Sequence, residues 1–453
     1  MRLLCQHLLS QRGEISQQVL AQEIIKTYRE MDSEQRLCFF EMLCREFSAD
    51  EAAIRAAAAS YERAPSHETL ATLSAAVESP RRELFQRINT APGGTETLVA
   101  LRGHLLDLNS SDARFEALDE DLKHLFRSWF NCGFLRLERI TLNTSPAILE
   151  KLIRYESVHK INGLPDLRRR LEQDRWCFAF FHPALPAEPI IFAEVAAAMG
   201  GGGDVESLLD VHGPVLAPEE ADAAIFYSIN NCLKGLRGIP FGNFLIRRVM
   251  AEIAAEFPNI TTFGTLSPLP RFARALRDTQ NEDGLTLSRL SRLLADYATP
   301  LSEASGRSDP VEGLFLLLKE PLAHRDVLAG PLRRLALAYL SRARQNGKLS
   351  DPVASFHFSN GARLERINVF GNLRSYGLEA SFGVMAGYQY VASELEENRE
   401  RFVRDGHARV AERLCLENEI VSAAWQGAPG NIDGGTQTTI PVMWSGETPK
   451  ASD

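Results

Sequence analysis

The sequence predicts an α+β multidomain chain, an N-terminal all-α helical domain followed by a mixed α/β domain. Up to about residue 130 apolar residues recur at helical spacing; from about Gly133 short β-branched and aromatic runs alternate with helical ones. The length, 453 residues, allows two or three domains with cores of their own. The expected divisions are 1–130, 131–425 and a weakly ordered tail at 426–453, rich in Gly, Thr and Pro.

In the helical part, Ser48-x-x-Glu51 reads as a capping box before an alanine-rich run, and Ser79-Pro80 as a helix start with proline at the first position. Pro92-Gly93-Gly94 marks a loop. Phe115, Leu118, Leu122, Leu125 and Trp129 form one apolar face, packed inside the domain or presented to another copy. In the α/β part, strands are expected at Trp176–Phe181, Ile190–Val195, Ala223–Ile229, Thr261–Leu266, Val353–Phe358 and Leu364–Phe370. Helices are expected at Gly242–Phe257, where Leu245, Val249, Ile253 and Phe257 repeat every four residues, and at Leu332–Gln345. Segments 199–221 and 298–313 read as loops. The run Gly200–Gly203 is a flexible connection, since no GK[ST] follows it to make a phosphate loop.

Composition removes several function classes. Apolar residues at 45% and charged ones at 24% are ordinary for a soluble protein, and a formal net charge of −9 argues against nucleic acid as a partner. The cluster Lys234, Arg237, Arg247 and Arg248 leaves a small anionic ligand open. Seven scattered cysteines without a CxxC, and histidines without HExxH, give neither a disulfide framework nor a metal site. The first residues lack the apolar run of a signal peptide, and Pro189–Met199 is too short to span a bilayer. No membrane partner and a cytoplasmic location are therefore expected.

Residues 223–272 read as strand, glycine-bearing turn, amphipathic helix and second strand. A turn feeding a helix N-terminus suits a pyrophosphate, because free N–H groups and the positive end of the helix dipole face it. Arg237-Gly238-Ile239-Pro240-Phe241-Gly242 partly matches the R/Q-x-x-G-x-G/A turn with which acetyltransferase-like (GNAT) folds hold coenzyme A. Pro240 stands where that pattern has glycine and removes one N–H donor. Ser267 ends the second strand, either as a plain strand-closing serine or as a polar group beside whatever the pyrophosphate carries. No GxSxG elbow surrounds it, so a hydrolase nucleophile is not supported. His357, on an expected strand, faces away from Phe356 and Phe358 and reads first as a satisfied core or surface residue and only second as a catalyst.

Residues about 130–395 resemble the malonyl-CoA decarboxylase family. The landmarks are HPALPAEPIIFAEVA from His182, FYSINNCLKGLRGIPFGNFLIRRV at 226–249, FGTLSPLPRF at 263–272, DPVASFHFSNGARLERIN at 351–368 and SFGVMAGYQY at 381–390, in the family's order. The resemblance implies a GNAT-like catalytic domain preceded by a helical oligomerisation domain, converting malonyl-CoA to acetyl-CoA and CO2. It places Ser267 and His357 at the catalytic serine and histidine, with Tyr390 in support, and Arg237, Gly238, Ile239, Pro240, Phe241, Gly242 and Asn243 on the malonyl-CoA-binding turn. A thioester enolate is then protonated with the help of the Ser–His pair, His357 serving as imidazolium or through a relay with Ser267. No metal and no separate cofactor are implied, coenzyme A being part of the substrate; homo-oligomers, tetramers in particular, are. Pro240 stands where some relatives carry a polar or acidic residue, and Gly387 where an asparagine is common. The competing expectations are a CoA-dependent acyltransferase acting on an amine and a malonyl-CoA sensor without activity.

Overall fold

Helices fill the chain up to Trp129: α1 (Arg2–Ser10), α2 (Glu14–Glu30), α3 (Ser33–Glu46), α4 (Glu51–Arg63), α5 (His67–Val77), α6 (Pro80–Asn89), α7 (Gly94–Asp107) and α8 (Glu116–Trp129). The structure is a computed structural model and describes residues 1–10, 13–108, 113–200, 204–345 and 348–426. Gly201–Gly203 of the glycine run, and the expected tail beyond Gln426, lie outside the described residues.

The α8 face forecast from spacing is buried at Phe115, Leu118, Leu122 and Leu125, so it packs within its own chain. Pro80 opens α6 as expected, but the capping box at Ser48 is not formed. Asp50 caps α4, accepting from the Ala52 N–H at 2.9 Å. Ser48 Oγ is engaged elsewhere, donating to the Cys44 carbonyl and accepting from Arg81.

Beyond Trp129 the chain builds an eight-stranded sheet of β1 (Arg136–Ile140), β2 (Arg175–His182), β3 (Leu185–Ala198), β4 (Ala223–Asn231), β5 (Thr262–Thr265), β6 (Ser267–Pro268), and two strands near the C-terminus. Helices α9 (Pro146–Tyr155), α10 (Leu164–Arg169), α11 (Val205–Leu208) and α12 (Gly242–Glu256) join them. After β6 come α13 (Phe272–Arg277), α14 (Leu287–Leu293), α15 (Ala298–Ser305), α16 (Pro310–Leu317) and α17 (Arg325–Ser341), then the small hairpin β7 (Arg344–Gln345) and β8 (Lys348–Leu349). The chain closes with α18 (Pro352–Ser359), β9 (Arg363–Asn368), α19 (Ser375–Ser381), β10 (Met385–Tyr390), α20 (Leu395–Asp405) and α21 (Cys415–Gln426).

Several readings are corrected here, the loop expected at 199–221 among them, since it holds α11. Val353–Phe358 is helical, not a strand: Asp351 caps α18 by accepting the Val353 and Ala354 N–H groups at 2.9 and 2.8 Å, and Pro352 fills the first position. The segment 298–313 is α15 and the start of α16, the latter opened by the same Asp-Pro signature at Asp309-Pro310. The helix expected at Leu332–Gln345 begins at Arg325 and ends at Ser341, with Pro331 inside it.

The sheet runs β1-β2-β3-β4-β5-β10-β6, with β9 on the other edge of β10. Every junction is antiparallel except β4–β5, which is parallel and made possible by the α12 crossover. That parallel pairing lasts only from Ala223–Thr262 to Phe226–Thr265. Beyond it β4 continues to Asn231 against β3 alone, while the other chain turns at Leu266 so that Ser267 pairs with Ala386 of β10. Past Phe226, at the carboxyl ends of the two parallel strands, β4 therefore has no strand beside it on the β5 side.

One apolar core runs from Cys5 and Leu8 through Phe85, Phe126 and Phe130 into Phe226, Val249 and Leu335. A second, around Leu152, Phe181 and Phe192, fills the other face of the sheet under α9 and α10. Beside it sits a buried ion cluster in which Arg170 reaches Glu194 at 2.8 Å and Asp166 at 2.9 Å.

Candidate active site

Ser267 and His357, ninety positions apart, meet just past the end of the β4–β5 pairing, and both are buried. Ser267 Oγ lies 2.9 Å from His357 Nε2, and His357 Nδ1 lies 2.7 Å from the Tyr390 hydroxyl. Helix α18 carries the imidazole, β6 the serine and β10 the tyrosine, so three elements converge on one chain of hydrogen bonds. The strand reasoning that set His357 apart from its neighbours is superseded; on α18 it is buried, and its ring stacks on Tyr388 at 4.4 Å between centroids.

The network fixes its own polarity. Ser267 Oγ donates to Thr265 Oγ1 at 2.9 Å, and Thr265 Oγ1 also accepts the Tyr388 N–H at 3.1 Å. With the serine proton committed to Thr265, His357 carries its hydrogen on Nε2 and donates to Ser267, while Nδ1 accepts from Tyr390. Burial alone pushes the His357 imidazole down to about 3, and burial raises the Tyr390 hydroxyl well above its ordinary range against a smaller opposing effect of the Asn360 side chain. Burial thus favours the neutral imidazole at neutral pH.

The turn Arg237–Asn243 lies between β4 and α12. Arg237, Gly238 and Pro240 are exposed, and Gly238 adopts φ +82°, a conformation open to glycine. Ile239 and Phe241 are buried, Phe241 meeting Phe130 edge-on at 6.3 Å, so their side chains anchor the turn, and their N–H groups are spent within it on the Leu236 and Ile239 carbonyls. Gly242 starts α12 against α18: a Cβ there would stand 2.1 Å from the Phe356 ring. Phe356 in turn lies 5.1 Å from the His357 ring, so the turn and the relay are joined by a single aromatic side chain. Asn243 takes its backbone place in the first turn of α12; its side chain falls outside the described part.

Sequence reasoning missed Thr265 and Tyr388. Both lie two residues from a named site residue along a strand, Thr265 from Ser267 and Tyr388 from Tyr390, so the period of two was the available signal. Asn360 was missed as well: it is buried one helical turn after His357, and its side chain is directed at the Tyr390 hydroxyl.

Comparison with known proteins shows the family. The family profile described as Malonyl-CoA decarboxylase C-terminal domain matches residues 133–426, and its N-terminal companion matches 47–130. The mitochondrial malonyl-CoA decarboxylase of Anser anser anser is 32% identical over 413 residues, spanning 86% of this chain and 82% of the relative. That of Rattus norvegicus is 33% identical over 347 residues, 74% of this chain and 70% of the relative. Among solved structures, malonyl-CoA decarboxylase from Rhodopseudomonas palustris superposes with a TM-score of 0.81 at 39% identity, covering 91% of this chain and 97% of the other. The Agrobacterium vitis protein gives 0.80 at 36%, covering 94% and 99%.

Proposed function

The chain belongs to the malonyl-CoA decarboxylase family, a family of carboxy-lyases, and on that premise we propose that Ser267, His357 and Tyr390 are the proton relay with which it turns malonyl-CoA into acetyl-CoA and CO2. The observation that carries the reading is the buried hydrogen-bonded chain from Thr265 to Tyr390, just past the end of the β4–β5 pairing. A pyrophosphate held at the α12 N-terminus would direct the thioester arm along β4 past Phe226, where the edge without a strand partner would offer backbone groups to the thioester oxygen.

Loss of CO2 breaks the bond between the carboxylate carbon and Cα and leaves its electron pair in a thioester enolate. Cα takes the proton of Ser267 Oγ. His357 Nε2–H replaces that proton, Nδ1 receives one from Tyr390, and water restores the tyrosine hydroxyl after product leaves. The net change is one proton consumed per CO2 released. The reading assigns no metal and no cofactor to these steps.

Purified protein given malonyl-CoA and no acceptor should release CO2; dependence on an added amine would point instead to acyl transfer. Ser267→Ala and His357→Ala should each lower kcat by roughly 100-fold or more. Wild-type turnover in either variant would remove the relay.

Self-association, as a tetramer or smaller homo-oligomer, belongs to the same proposal. Helix α5 buries no residue and exposes Leu70 and Val77, an apolar face unlike that of α8. A monomer mass in light scattering would refute it. No helix among the described residues is long and apolar enough to cross a membrane. The seven cysteines are free, which suits the cytoplasm we propose; recovery of the protein in another compartment on fractionation would correct it.

A further inference from the structure

We infer that Arg102, in the helical domain, is a positioning residue that aims the pyrophosphate-binding turn. The inference rests on the reading of residues 237–243 as the substrate turn. Arg102 lies on α7, is 1% exposed, and donates from Nη1 to the carbonyl oxygens of Gly235 at 2.6 Å and Arg237 at 2.8 Å. Its Nε donates to Asp119 at 2.7 Å, and Asp119 also holds Lys123 at 2.7 Å. Burial works to raise the Asp119 carboxyl, but hydrogen bonds from Arg102 and Lys123 hold it below its ordinary value, so the guanidinium is backed by a charge.

The distance between α7 and the turn is set by backbone. A Cβ on Gly235 would stand 1.9 Å from the Val99 carbonyl oxygen, and one on Gly103 would stand 3.6 Å from the Gly235 nitrogen. Lys234 pairs with Asp107 at the edge of the same contact. The guanidinium thus has a fixed reach to the two carbonyls.

Its effect on a ligand follows from the planarity of the peptide. The described residues hold no cis bond, so the Arg237 carbonyl and the Gly238 N–H point in opposite directions. With the carbonyl turned inward onto Arg102, the N–H is turned outward. Gly238 is exposed, nothing lies within 4 Å of the position its Cβ would take, and its N–H has no acceptor among the described residues. Pro240 gives this turn one N–H fewer. The donor that Arg102 aims therefore matters more here than in a turn with glycine at that position.

The test compares two thioesters, malonyl-CoA and malonyl-pantetheine, which lacks the pyrophosphate. In Arg102→Lys, KM for malonyl-CoA should rise about tenfold with kcat within about twofold, while kcat/KM for malonyl-pantetheine stays unchanged. The dissociation constant of coenzyme A itself, by calorimetry, should rise in parallel. Asp119→Asn, which leaves the guanidinium in place without its carboxylate, should give a smaller rise of about threefold and serves if Arg102→Lys does not fold. An unchanged KM for malonyl-CoA in the folded variants, or equal losses on both thioesters, would overturn the inference. If wild type decarboxylates neither thioester, the parent reading fails, and the coenzyme A affinity of wild type against variant still decides the role of Arg102.

Discussion

The neutral state of His357 has a thermodynamic signature that one substitution isolates. Burial takes the imidazole from its ordinary 6.5 down to about 3 in the folded chain. Because the folded value lies below the unfolded one, the contribution of the neutral ring to stability is complete above pH 6.5. It is lost as the pH falls from there toward 3, where the unfolded chain binds a proton that the folded chain refuses. At pH 5 the difference is about 1.5 pH units, or about 2 kcal/mol at 1.36 kcal/mol per unit. His357→Gln keeps a hydrogen-bonding side chain and removes the titration. Chemical denaturation of both proteins at pH 7.5 and pH 5 should show wild type losing about 2 kcal/mol more than the variant. His159, also buried and pushed down to about 3, is present in both proteins and cancels. Equal pH dependence in the two, or a His357 resonance titrating near 6.5 in nitrogen-15 spectra, would refute the neutral relay.

Three further outcomes are expected. Tyr390→Phe removes the hydroxyl 2.7 Å from Nδ1 and should lower kcat about tenfold with KM unchanged; a KM effect alone would show that the tyrosine holds substrate instead. Gly242→Ala sets a methyl group 2.1 Å from the Phe356 ring, so thermal or chemical melting should reveal a loss of about 1–3 kcal/mol, and Phe356→Leu in the same chain should restore part of it. Arg170→Met strands Glu194 and Asp166, and denaturant titration should register a loss of about 3–5 kcal/mol; a loss under 1 kcal/mol would mean that the cluster admits water.

Much of the fold was legible because periodicity reports burial. Strands β2 to β5 and helix α12 stand where alternation and four-residue spacing put them. Two misreadings share a cause. In both Asp309-Pro310 and Asp351-Pro352 the acid caps a helix and proline fills its first position, yet the alternating Val353–Phe358 and the polar 298–313 outweighed that signal. The site was legible only through resemblance. Spacing alone leaves Ser267 a strand-closing serine, because its partners His357 and Tyr390 come from elements 90 and 123 positions later. Arg102 carried no signal at all: its acceptors are carbonyls 133 and 135 residues away, and backbone oxygens leave no trace in side-chain pattern.

The approach of the Val99 carbonyl to Gly235 has a consequence for descent. No side chain fits at position 235 while α7 keeps its place, and Arg102 finds its two acceptors only at that separation. A change on either side is tolerated only when matched by the other. The helical and catalytic halves are therefore expected to have been inherited together, and a chimera drawing them from two distant relatives should lose affinity for coenzyme A before it loses its fold.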